Sequence, residues 1–87
     1  MNRSEFLAAT AREGVSEDSW SLSVDRDETY CLLGEVDSWV VYYSERGHRR
    51  SKVWHSTEEE ATSDLFDRVI RDDTTRVTYR VRHKWPG

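Results

Sequence analysis

Trp39-Val40-Val41-Tyr42-Tyr43-Ser44-Glu45-Arg46-Gly47 decides the fold. In an extended chain Trp39, Val41 and Tyr43 point to one side while Val40 and Tyr42 point to the other, so neither face is purely polar. Such a strand belongs in the middle of a sheet. Upstream, Glu28 to Leu33 reads as a second strand, and Gly34-Glu35-Val36-Asp37-Ser38 between the two reads as a hairpin loop. Downstream, Arg46-Gly47-His48 forms the next turn, with Gly47 free to take positive φ. Arg50 to His55 then returns as a third meander strand, whose polar residues around Val53 and Trp54 place it in a more exposed position.

Working outward from this meander, Trp20, Leu22 and Val24 alternate with Ser21 and Ser23, as in a strand with one buried face. Asp25-Arg26-Asp27 is a loop. Asn2 with Glu5 three residues later forms a capping box, so Phe6, Leu7, Ala9 and Ala11 lie on a short, weakly amphipathic helix ending near Gly14. Thr57-Glu58-Glu59-Glu60 starts a stronger helix, in which Ala61, Leu65, Phe66, Val69 and Ile70 recur at helical spacing as far as Asp72. From Thr74 to His83, Val77, Tyr79, Val81 and His83 alternate with Thr78, Arg80, Arg82 and Lys84. This pattern predicts a C-terminal strand with one cationic face, or a cationic tail over residues 76–87 that closes on a partner, with Trp85-Pro86-Gly87 ending the fold. The expectation is one α+β domain over residues 1–87, since a chain of 87 residues builds a single core. An antiparallel sheet of three to five strands should carry two helices on one face, in the order α-β-β-β-β-α-β.

Charged residues make up 34% of the chain and apolar ones 36%, but the apolar residues are clustered and periodic, which argues against disorder. Charge is uneven along the sequence. Residues 1 to 75 set nine Lys or Arg against all seventeen acids, a formal −8, whereas Arg76, Arg80, Arg82 and Lys84 give the remainder +4. Glu13 to Asp37 holds eight carboxylates and one basic residue, Arg26, while Arg46, Arg49, Arg50 and Lys52 crowd a later turn. No stretch approaches the ~20 apolar residues that cross a bilayer, and the N-terminal residues lack a secretory signal's apolar run, so a cytoplasmic protein with no membrane association is expected. Cys31, the single cysteine, has no partner for an internal disulfide and reads as a small buried core residue.

No constellation for catalysis is legible. His48, His55 and His83 belong to no HExxH or CxxC arrangement, and Glu58, Glu59 and Glu60 are explained by compensation of the helix dipole. The glycines are scattered, so no phosphate-cradling loop exists. The chain is therefore expected to be no enzyme and to need neither cofactor nor metal. Helix, three strands and helix is also the order of a double-stranded RNA-binding domain. That family uses basic residues at the start of its second helix, whereas the acids at 58 to 60 repel phosphate. Nucleic-acid binding through the turn from Arg46 to Lys52 and the basic C-terminal tail is the alternative to protein recognition, and the acidic balance opposes it.

A polarised surface with available aromatics suits protein recognition, in which Trp, Tyr and Arg dominate interface energy. Tyr42, Tyr43, Glu45 and Arg46 combine these types at the end of the central strand; their structural alternative is a sheet edge with Glu45 and Arg46 ion-paired. Through Tyr30-Cys31-Leu32, the Trp39 to Gly47 stretch, the tryptophan-containing strand and the Thr57 to Glu60 helix start, the chain resembles small actinobacterial immunity-like proteins of polymorphic-toxin loci. The resemblance spans roughly residues 14 to 72 and leaves out the cationic tail. It implies a toxin-neutralising antidote that binds a cognate toxin domain and blocks its active site. Glu17, Asp18, Asp25, Asp27 and Glu28 would then occupy a basic cleft by imitating phosphates. A homodimer formed by strand addition through the C-terminal strand is a further expectation.

Overall fold

The computed structural model describes residues 1–82. The order is α1 (Arg3–Arg12), a 3₁₀ turn (Glu17–Ser19), β1 (Trp20–Leu22), β2 (Thr29–Gly34), β3 (Trp39–Glu45), β4 (His48–His55), α2 (Glu58–Arg71), a second 3₁₀ turn (Asp73–Thr75) and α3 (Val77–Arg82). The four strands form one sheet in the order β1-β2-β3-β4, with α1 and α2 covering one face. The α+β class and the central meander agree with the sequence reading.

The β2–β3 ladder runs from Thr29↔Ser44 to Gly34↔Trp39, and β3 pairs with β4 from Trp39↔His55 to Glu45↔His48. Only Arg46 and Gly47 join β3 to β4, at φ 50° and 81°. Positive φ at both central residues is the turn geometry whose twist matches two right-twisted strands. Arg46 is not a glycine, and Asp27 Oδ1 holds its strained backbone by accepting from Arg46 N at 2.7 Å.

Helix boundaries follow their caps. In α1 the Asn2 side chain and the Glu5 carboxylate each accept from the other's backbone N–H, at 2.8 Å. At its other end Gly14 takes φ 69°, and the Val15→Thr10 and Gly14→Ala11 backbone bonds form a Schellman closure. In α2 Thr57 caps the Glu60 N–H, while the Glu60 carboxylate accepts from the hydroxyls of Ser56 and Thr57, which hold its pKa below the usual carboxylate value.

Phe6, Val15, Leu32, Val41, Ala61, Leu65 and Val69 are buried between sheet and helices, with Trp20, Leu22, Tyr30, Trp39, Phe66 and Ile70 packed around them. Phe6 is the hinge of this core. Its ring meets Trp20 edge to face at 4.9 Å and Phe66 at 6.4 Å. The opposite face holds a smaller cluster of Cys31, Val40 and Tyr42 with Leu33 beside it. Among the described residues the β1–β2 loop covers them through Asp25, which accepts from the Tyr42 hydroxyl and from Ser44 Oγ.

Three sequence expectations are corrected. The sheet is mixed rather than antiparallel, because β1 pairs parallel to β2 from Trp20↔Tyr30 to Leu22↔Leu32. Parallel neighbours usually need a long crossover, but β1 is three residues long, so a loop turned by positive φ at Ser23 and Glu28 suffices to bring the chain back. Val24 lies in this loop rather than in the strand. The segment predicted as a C-terminal strand is instead helix α3 as far as Arg82; His83 to Gly87 lie outside the described residues. Its extended stretch shrinks to one bridge, Val15↔Arg76, beside the bonds Ser16→Thr75 and Val77→Gly14. Beyond that bridge the Arg80→Arg76 bond satisfies the backbone locally. Among residues 76–82 the strand on which strand addition was expected is absent.

Candidate interaction surface

The residues expected to bind a partner divide into those that hold the fold together and those that face outward. Tyr42 belongs to the first group: it is fully buried, with Arg49 stacked 4.7 Å above its ring and its hydroxyl bonded to Asp25. Burial and that bond raise its pKa well above the ordinary tyrosine value. Asp25 and Asp27 are likewise engaged, Asp25 by Tyr42, Ser44 and Arg49 at 3.9 Å, and Asp27 by Arg46 N. Tyr43 is half-buried on the helix face with its ring 4.8 Å from Tyr30. Glu45 pairs with Arg50 at 2.7 Å, not with Arg46. The Arg46 side chain is exposed at the hairpin tip.

Glu17, Asp18 and Glu28 are exposed. Glu17 and Asp18 stand on the first 3₁₀ turn, whose Ser16 side chain accepts from Asp18 N. The structure does not gather the five acids into one cluster; the loop from Ser23 to Glu28 uses two of them as staples.

What the 3₁₀ turn does gather is apolar surface from both ends of the chain. On one side lies a cleft of about 340 Å³ lined by Leu7, Thr10, Ala11, Val15, Glu17 and Trp20. On the other lies a more open one of about 580 Å³, whose lining includes Ser16, Asp18, Val77, Arg80 and Val81. Leu7, Val77 and Val81 are 48%, 47% and 71% exposed, large fractions for apolar side chains. Glu17 lines the first cleft and Asp18 the second, so the turn forms an acidic ridge shared by two partly apolar clefts, the second of which also holds Arg80. The Val15↔Arg76 bridge fixes its flanks relative to each other. Trp20 Nε1 is buried and has no hydrogen-bond partner among the described residues, whereas their other buried side-chain polar atoms have one.

The basic hairpin is differently arranged. Arg49 leans on Asp25 and Tyr42, Arg50 bonds Glu45, and Lys52 lies 5.6 Å above the Trp54 ring, so these cations have partners within the molecule. Trp54, 52% exposed on edge strand β4, is held by its indole N–H to Glu35 at 2.7 Å.

His48 is exposed on the hairpin, while His55 bonds Asp64 across to α2 at 2.8 Å. Asp64 also accepts from Arg68 at 2.9 Å; burial works to raise its pKa, but these two partners outweigh it and leave the carboxyl below the usual range. Burial raises the Cys31 thiol pKa, the behaviour of a core residue. Among the described residues no group of three or more His, Cys, Asp or Glu is placed to hold a metal ion, and no helix is long and apolar enough to cross a membrane.

Sequence reasoning found Glu17 and Asp18 through their charge and missed Leu7, Trp20, Val77 and Val81 as their neighbours. Each of these reads locally as a core position, and the bridge that makes Val77 and Val81 surface neighbours of the ridge joins residues 61 apart. Comparison with family models, curated proteins and solved structures finds no match.

Proposed function

We propose that this chain is a toxin-neutralising, immunity-type protein that binds a cognate toxin domain in the cytoplasm and obstructs its active site. The observation that carries this reading is the acidic ridge of Glu17 and Asp18 shared by two partly apolar clefts. Apolar anchors ringed by charge are the composition of a protein-binding patch, in which a few desolvated side chains supply affinity and the charges steer encounter. An acidic ridge fits a basic cleft of the kind that accepts a phosphate-bearing substrate, and blocking such a cleft requires no chemistry from the blocker. Within the phosphate-imitation hypothesis Glu17, Asp18 and Glu28 come first as contacts, because Asp25 and Asp27, though exposed, already accept internal hydrogen bonds.

Co-expression with the product of the adjacent gene, with a purification tag on this chain alone, tests the reading. The expected result is a one-to-one complex and loss of the neighbour's toxicity. A harmless neighbour that does not co-purify overturns it. Salt-sensitive retention on nucleic acid by the chain alone would favour the basic hairpin as the working surface instead.

A further inference from the structure

We infer that this chain pairs with a second copy of itself along the outer edge of β4, in an antiparallel register centred on Val53 that joins two four-stranded sheets into one. Among the described residues no strand lies beside that edge. Which backbone groups it offers follows from the ladder. The Arg46–Gly47 turn closes on Glu45↔His48, a hydrogen-bonded pair, and at the other end of β3 the Glu35→Ser38 bond turns Ser38 toward β2 and hence Trp39 and Val41 toward β4. Val53 and His55, opposite Val41 and Trp39, direct their N–H and C=O to β3, so those of Lys52 and Trp54 point outward. At the bulge Arg68 already donates to Ser51 O at 2.8 Å, and the open edge therefore runs from Lys52 to His55.

Side chains then choose the occupant and its register. Val53 and Trp54, on opposite faces of this edge, are 43% and 52% exposed. Antiparallel pairing centred on Val53 sets the two Val53 side chains against each other across a two-fold axis. It also sets Lys52 of each copy opposite Trp54 of the other, where the two residues exchange both N–H···O=C bonds. Within one chain Lys52 already stands 5.6 Å over the Trp54 ring, so the pairing repeats a contact these side chains make. Arg49 and Arg50 fall beyond the overlap. Other registers fare worse, because like charges opposed across strands repel. Centred on Lys52 or Arg50, that cation meets itself; centred on Ser51, Arg50 meets Lys52; centred on Trp54, only Val53 to His55 remain in contact. The cations that guard this edge thus leave one favourable register open to a second copy. The turn carrying Glu17 and Asp18 leads into β1 at the far edge of the sheet, so the pairing and the proposed toxin contact stand or fall separately.

The test is sedimentation velocity of the full chain at rising concentration, with Val53→Lys and Val53→Glu run alone and as an equal mixture. The parent is expected to pass from monomer to dimer, each variant alone to dimerise at least about fivefold more weakly, and the mixture to associate more tightly than either component. Val53→Cys tests the same register without an added charge: residues of a non-hydrogen-bonded antiparallel pair lie about 4.5 Å apart at Cα, so oxidation should link two copies there. His48→Cys, exposed at the hairpin end of β4 and far from the axis, should stay unlinked, and Cys31 is buried. A parent that remains monomeric up to about 1 mM, a Val53→Lys variant that dimerises like the parent, a mixture no tighter than its components, or equal linking through His48→Cys overturns the inference.

Discussion

Tyr42 shows how one residue's type misleads about its place. A tyrosine on a central strand near a charged turn reads as an interface anchor, but the β1–β2 loop folds over it and Asp25 takes its hydroxyl proton as a hydrogen bond. Tyr42→Phe removes one bond to a charged acceptor and is expected to cost about 1.5 kcal/mol in urea unfolding, with partner affinity unchanged. A loss of affinity without a loss of stability would return Tyr42 to the interface. The partner of Asp25 was not legible beforehand, because a loop carboxylate's bonding depends on where the loop lies over the sheet. Glu17 and Asp18 were legible as charge alone. Their meaning came from Leu7 on α1 and from Val77 and Val81, the latter two brought beside them by a bridge between residues far apart in sequence.

Among the elements, the meander was readable because three signals agree: the strand-forming run from Glu28 to Leu33, apolar residues on both faces of Trp39 to Ser44, and a turn with Gly47 free to take positive φ, as it does. The segment after Thr75 was not, because alternation of Val77, Tyr79 and Val81 also puts Val77 and Val81 four apart on a short helix, and pattern alone does not say whether a strand edge waits. Gly14 tests the end of α1. It sits at φ 69° with open space around its missing Cβ, so Gly14→Ala has no clash to relieve and is expected to cost about 1 kcal/mol of stability, all of it backbone strain.

Asp64 tests the clamp of α2 on β4. Its carboxyl receives His55 and Arg68, and Arg68 also donates to Ser51 O on β4. Because its folded pKa is depressed, its contribution is full above the unfolded value near pH 4 and is lost as pH falls through the lower folded value. Asp64→Asn should lower stability by about 1 kcal/mol at neutral pH, and unfolding curves of variant and parent should converge below about pH 4. A constant difference down to pH 2 would contradict the clamp.

Across the whole molecule, charge separates into an acidic ridge and a basic hairpin, and the two are used differently. The hairpin's Arg49, Arg50 and Lys52 are exposed and pair along the surface with Asp25, Glu45 and Trp54, which fits an edge strand guarded against unwanted pairing. The ridge keeps Glu17 exposed, with apolar surface on both flanks. Steering by such a ridge acts mainly on the association rate and fades as salt screens it over about 8 Å at physiological ionic strength.

Titration calorimetry of the purified chain against the product of the adjacent gene, with Glu17→Lys/Asp18→Lys in parallel and at low and high salt, is the most direct measurement of the proposed function. The account predicts a one-to-one complex, at least about tenfold weaker for the double variant at low salt, with the gap narrowing at high salt while thermal stability holds. Equal affinities for the two proteins at both salt concentrations would contradict it.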